Sequence, residues 1–158
     1  MDYRIASMQA FQLLGKAQRQ FIGDVQANIF WEKCQQDGTL TVLTNHSTSP
    51  DKALIGLVDA ASSDGESYSY VIGTPYYGET VPAGFTLHTL SACQWVKFTC
   101  SSFGAQNTAN KDIWAAIYSD FFPDSGLEPT QYQLEVYPHG DDALSEIWVS
   151  VALKRSNT

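Results

Sequence analysis

Apolar and polar positions fall into two rounds of one pattern along the chain. Residues 2–18 read as an extended opening, with apolar side chains at Tyr3, Ile5, Phe11, Leu13 and Leu14. From Gln20 the period lengthens. Ile22, Val25 and Ile29 recur at helical spacing beside Phe30 and Cys34, and Asp37-Gly38 supplies a stop, which predicts a helix over 20–37. A polar loop at 45–52 precedes a strand over 53–60, a turn at Ser62-Ser63-Asp64-Gly65 and a returning strand over 67–74. The second round opens with 85–91 and 94–101, which read as paired strands. A helix over about 110–122 follows, with Ile113, Ile117 and Phe121 on one stripe and Trp114, Tyr118 and Phe122 on the next. Pro123-Asp124-Ser125-Gly126 ends it. Strands over 131–137 and 146–153 close the chain around a polar turn at 138–145.

The order is extended segment, helix, strand, strand, and then the same again, although residue identities do not repeat. This predicts an α+β fold of duplicated β-α-β-β units, with halves at about 1–78 and 79–158, each helix covering one face of an antiparallel sheet. Two such halves related by a pseudo-twofold axis leave a central cleft, a common location for ligands.

Length and charge narrow the function classes. A chain of 158 residues suits one domain, 1–158, with a core that needs no disulfide or metal. Its apolar runs are too short to span a bilayer, so no membrane partner is expected. No basic n-region followed by an apolar stretch marks a signal peptide, and a cytoplasmic location is expected. Nine Lys and Arg stand against seventeen Asp and Glu, a net charge of −8 with no basic cluster, so no direct nucleic-acid binding is expected. Such a field attracts cations. Cys34, Cys93 and Cys100 show no CxxC spacing and read as buried structural thiols. His46, His88 and His139 have no metal-ligand spacing, and neither a GxSxG elbow nor a Gly-rich phosphate loop occurs. No metal or cofactor is expected. Oligomeric state is left open.

The stretch 131–137 carries the most chemical information. Alternation puts Tyr132, Leu134 and Val136 on one face and Gln133, Glu135 and Tyr137 on the other. In the last strand Ile147, Val149, Val151 and Leu153 face the core, while Glu146, Trp148 and Ser150 face away. Pairing Tyr137 with Glu146 sets Glu135 opposite Trp148, and shifts by two residues keep the same faces together. A carboxylate among aromatic rings is a receptor for a lipophilic cation, each ring contributing about 0.5–2 kcal/mol. The plain alternative is a solvated glutamate on an edge strand. Trp114 and Tyr118 either complete the core or line the cleft. Tyr70, on one face of 67–74 with Tyr68, is the first-half aromatic expected at the ligand, whereas Phe30 and Trp31 read as core or rim. A lone glutamate beside tyrosines also keeps general acid–base chemistry open.

The runs Val81-Pro82-Ala83-Gly84-Phe85, Gln94-Trp95-Val96-Lys97-Phe98, Ile113-Trp114-Ala115-Ala116-Ile117-Tyr118 and Leu134-Glu135-Val136-Tyr137, in that order, resemble the GyrI-like effector-binding domain. That is the small-molecule domain of AraC-type and MerR-type multidrug regulators. It also occurs as a stand-alone cationic-drug-binding module on integron gene cassettes. The resemblance is good from about Tyr68 to Val151 and weaker before, where Phe30-Trp31-Glu32 looks like the family's aromatic helix centre. It implies a hydrophobic cleft with a carboxylate at its base: Glu135 as charge partner and Trp114 as the helix tryptophan, with Tyr137 and Tyr70 at pocket positions. Family members often carry proline close before the glutamate, whereas here Pro129 lies six residues upstream. The expected ligand-binding set is Glu135, Trp114, Tyr137, Tyr70, Tyr118 and Trp148, and the expected partner is a small amphipathic or cationic organic compound. With no helix-turn-helix in the sequence, the expected role is sensor or sequestering protein. The resemblance also implies two alternatives: a hydrolase of cyclopropane-containing compounds using the same glutamate, and a modulator of DNA gyrase acting through acidic residues such as Asp141 and Asp142.

Overall fold

Two strands, not one, make up the opening stretch: β1 (Tyr3–Met8) and β2 (Phe11–Phe21), divided at Gln9-Ala10. Helices α1 (Ala27–Gln36) and α2 (Thr39–His46) follow, separated by Gly38 in the left-handed region at φ 84°. Then come β3 (Leu54–Asp59) and β4 (Ser67–Pro75). The second half runs β5 (Thr86–Leu90), β6 (Cys93–Thr99), a helical segment, β7 (Leu127–Tyr137) and β8 (Glu146–Leu153). Its helical segment is α3 (Asn110–Ala116), a π turn over Ile117–Phe121 and α4 (Phe122–Ser125). The widened turn, in which the Phe122 N–H reaches the Ile117 carbonyl, lies immediately before Pro123, which has no N–H to give. The computed structural model describes residues 1–24, 26–103, 110–138 and 144–155.

The fold is α+β, as the sequence pattern predicts, with each half extended to β-β-α-β-β. The first helix starts later than expected because β2 continues to Phe21. Ile22 and Ile29 are exposed, and the buried stripe of α1 is Phe30 and Cys34. Val25 lies outside the described residues. The eight strands form one antiparallel sheet in the order β1-β6-β8-β7-β3-β4-β2-β5. Exchanging each strand of the first half with its counterpart in the second reproduces this order read backwards, so the sheet carries the pseudo-twofold axis. Strands β5 and β6 do not pair with each other, contrary to the sequence reading. Instead β1 joins β6 and β5 joins β2, so each half donates its first strand to the other.

One row of residues across the sheet locates the axis. It runs Phe98, Ile147, Glu135, Gly56, Ile72, Lys16, each paired with the next on the neighbouring strand. Aligning the short turns Gln9-Ala10 and Ser91-Ala92 makes Lys16 the counterpart of Phe98, Ile72 that of Ile147 and Gly56 that of Glu135. The axis therefore passes between Gly56 and Glu135, where β3 meets β7.

Helices lie over this face at its two ends. Phe30, Cys34 and Leu43 pack on Leu14, Tyr70 and Ile72, while Ile113, Ile117, Phe121 and Phe122 pack on Val96, Phe98, Ile147 and Val149. The central strands β7 and β3 lie between the two layers. The other face needs no helix because the sheet curls over it. Strands β6 and β2 are separated by four others, yet the rings of Trp95 and Phe11 come within 6.2 Å. Flat strands spaced by about 4.8 Å would hold them far apart. Phe11, Leu13, Ile55, Leu57, Leu134 and Trp95 thus form one core inside the curl. Phe11→Ala should lower the unfolding free energy by about 3–5 kcal/mol, read by chemical denaturation. A loss within experimental error would show that the Phe11–Trp95 contact does not close the curl.

Candidate functional site

Glu135 projects from the middle of β7 on the helix-bearing face, and the residue paired with it on β3 has no side chain. Gly56 is buried, and a Cβ there would collide with the Tyr70 hydroxyl and lie 3.3 Å from Cζ2 of Trp31. The bare backbone at Gly56 thus lets aromatic side chains of the first half reach across to the glutamate. The Trp31 indole N–H donates to the Tyr70 hydroxyl at 2.8 Å, and the rings of Trp31 and Tyr137 meet edge to face at 5.2 Å.

From the other side, the Trp114 N–H donates to Glu135 Oε2 at 3.4 Å. Asn110, at the start of α3, donates through Nδ2 both to Glu135 Oε2 at 3.2 Å and to the Tyr137 hydroxyl at 3.1 Å. Tyr118 stacks along Trp114 at 6.3 Å, and its hydroxyl accepts from the Gln133 side-chain amide. Trp31 and Trp114 each occupy the fifth residue of their helix, so the two indoles flank the axis as a pair.

These surroundings set the electrostatics. Desolvation raises the Glu135 pKa above the ordinary carboxyl value, against smaller lowering effects of the Trp114 and Asn110 hydrogen bonds. Burial followed by the nearby Glu135 charge holds the Tyr70 and Tyr137 hydroxyls protonated far above the usual tyrosine range. The same two causes, with a further contribution from Glu146, push the Cys100 thiol up to about 12, which leaves it unreactive at neutral pH. The ion pairs among the described residues are Arg4–Glu146 and Arg19–Asp64. Glu135 has no Lys or Arg partner there. It is half-buried, and its hydrogen bonds among the described residues come from the neutral donors Asn110 and Trp114. A cavity of 400 Å³ opens beside the group, walled by Trp31, Tyr137, Leu40 and Leu54, with the exposed carboxylate of Glu32 on its rim.

Five of the six expected site residues gather here: Glu135, Trp114, Tyr137, Tyr70 and Tyr118. Trp148 does not. Glu135 pairs with Ile147 and Trp148 pairs with Leu134, one residue away from the expected register, which sends the tryptophan to the opposite face. There it packs edge to face on Trp95 at 6.0 Å, under the Lys97 ammonium at 3.7 Å. The cause is that both sheet faces are covered, so alternation alone could not say which side of β8 shared the glutamate's face. Asn110 and Gly56 gave no signal in the sequence. Trp31 would have been found as the counterpart of Trp114 had the start of the first helix been set at 27. Asp141, Asp142 and His139 lie outside the described residues.

Helix layers thus flank a central carboxylate on a duplicated antiparallel sheet. The chain belongs to the Cass2 family of integron-associated effector-binding proteins, whose model it matches over residues 7–151. Protein SAV2435, solved bound to tetraphenylphosphonium, has the same fold: 20% identity and a TM-score of 0.79, over 96% of this chain and 94% of that one. The integron cassette protein VCH_CASS2, from the mobile metagenome of Vibrio cholerae, shares 16% identity at a TM-score of 0.62, over 96% and 95% of the two chains. No curated protein matches in sequence.

Two outcomes follow from the local geometry. Gly56→Ala should cost about 1–3 kcal/mol of stability by forcing Tyr70 and Trp31 apart, measured by thermal or urea unfolding. A carboxyl whose folded pKa is raised binds its proton more readily in the native state, so its ionisation costs stability at neutral pH. Glu135→Gln should therefore be at least as stable as the parent at pH 7. The difference should shrink as pH falls through the raised pKa and vanish below the ordinary carboxyl range, where folded and unfolded states are both protonated. Melting curves across pH check this, and a variant clearly less stable at pH 7 contradicts it.

Proposed function

We propose that the chain binds amphipathic organic cations in the cleft between its two helix layers, as a sensor or sequestering module. The observation that carries this reading is Glu135 itself: a partly desolvated carboxylate, lacking a cationic partner among the described residues and set among indole and phenol rings. Trp114, Trp31 and Tyr137 would present their faces and edges to the ligand, Tyr70 would back them, and Tyr118 would extend the wall outward. Cation–π attraction is strengthened where water is excluded, and a bound cation favours the ionised glutamate. The Glu32 carboxylate and the net charge of −8 add a field of the right sign. Capture of tetraphenylphosphonium by a protein of the same fold is in keeping with this chemistry.

Titration with tetraphenylphosphonium should show saturable binding, followed through tryptophan emission. Glu135→Gln should fold normally and lose roughly tenfold to a hundredfold in affinity, about 1.4–2.8 kcal/mol. Affinity of the parent should also fall as pH drops through the raised Glu135 pKa, because protonation removes the charge partner. An unchanged dissociation constant in the variant would refute the assignment.

One observation favours a second reading. Asn110 ties the Glu135 carboxylate to the Tyr137 hydroxyl, the pairing of groups that acid–base hydrolysis of a strained, cyclopropane-containing electrophile would use. Product formation that disappears in Glu135→Gln would establish it, and saturable binding without product would exclude it.

A further inference from the structure

The curled face ends in a second cavity that the cleft does not use. Met8, Phe11, Ala53, Ile55, Val136 and Trp148 line a space of 320 Å³ at the mouth of the curl. That volume lies at the lower end of the range for small-molecule pockets, and the mouths of curved and closed sheets are frequent places for them. Behind it stands Trp95, with no exposed surface. Its ring lies 6.2 Å from Phe11 and 6.0 Å from Trp148, two of the three aromatic residues that line the cavity with Tyr77, and stacks on Tyr132 at 5.7 Å. The Trp95 Nε1–H is buried and has no hydrogen-bond acceptor among the described residues. A buried donor left unmade costs about 1–3 kcal/mol, and native proteins keep few of them.

Charge around this cavity is already spoken for. Glu146 accepts from Arg4 at 2.6 Å and from the Trp148 N–H at 3.2 Å. Asp51, exposed at the rim, accepts from the Ser49 hydroxyl. No carboxylate that lines it is held, as Glu135 is, by neutral groups alone in a desolvated setting. The cavity therefore offers apolar and aromatic surface, with one unmet donor buried behind its Phe11 and Trp148 walls and no desolvated carboxylate to hold a cation.

We propose that the mouth of the curl is a second binding site, on the opposite face of the sheet from Glu135, for a flat neutral aromatic compound bearing a hydrogen-bond acceptor. The ring system packs between Met8, Ile55 and Trp148, and a carbonyl oxygen that parts the Phe11 and Trp148 rings, which cover Trp95 completely in this structure, accepts from its Nε1–H. The two sites then divide ligands by charge, cations at the cleft and neutral compounds at the curl.

The test uses 7-diethylamino-4-methylcoumarin, a neutral planar fluorophore with a lactone carbonyl. It should bind saturably, with the same dissociation constant in Glu135→Gln. Ala53→Phe, which fills the cavity, should weaken it roughly tenfold, and Trp95→Phe by about threefold to tenfold. The sequence holds two methionines, Met1 and Met8, so carbon-13 methyl spectra of the unaltered protein give a readout independent of any variant's folding. The Met8 methyl should shift on addition of the coumarin and the Met1 methyl should not. A stationary Met8 resonance, or coumarin binding that Glu135→Gln abolishes and Ala53→Phe leaves intact, would overturn the proposal.

Discussion

Everything at the site depends on the pairing of Gly56 with Glu135 across β3 and β7. A side chain at position 56 would fill the centre of the helix-bearing face and drive Tyr70 away from Trp31. With glycine there, the first half lends its aromatic residues to the second half's carboxylate. The site is thus asymmetric in charge and nearly symmetric in shape: an indole from each half, one acid, and bare backbone where the symmetry-related acid would stand. Two carboxylates at the axis would repel and raise each other's pKa. One carboxylate with neutral donors stays ionisable and available.

Covering both faces by different means makes this arrangement possible. Helices cover the two ends of one face, and the curl covers the other with its own side chains. Because the core inside the curl holds the strands together, the helices need not meet over the centre of the first face. That gap is where the aromatic residues converge. The apolar interior and the polar site are therefore separated by the thickness of one sheet, and adjacent residues of β7, Leu134 and Glu135, serve opposite purposes.

Much of this was legible in the sequence because strand alternation and helix stripes are local properties. The two faces of β7, the stripe Ile113, Ile117 and Phe121, and the repeated order of elements all follow from spacing within a few residues. What was not legible depends on long-range choices. The register between β7 and β8 is set across a turn whose length does not fix its parity, and that single step moved Trp148 to the wrong side. The exchange of β1 and β5 between halves leaves no trace in either strand's own sequence. Helix α2 was missed because Leu40, Val42 and Leu43 make too short an apolar run beside Thr39, Thr41 and Thr44. Asn110 acts through two hydrogen bonds that no pattern of hydrophobicity records.

The traded outer strands bind the two halves together more firmly than a shared surface would. Each half lacks the neighbour of one of its own strands: β6 finds its outer partner in β1, and β2 finds its outer partner in β5. A cut between β4 and β5 would leave two fragments, each with an unpaired β-strand edge and a stray ribbon made for the other. A polypeptide of half this length could reach the same architecture only as an intertwined pair, and in that pair the position of Glu135 would be filled twice or not at all. Joining both halves in one chain is what allows the centre to carry a single negative charge.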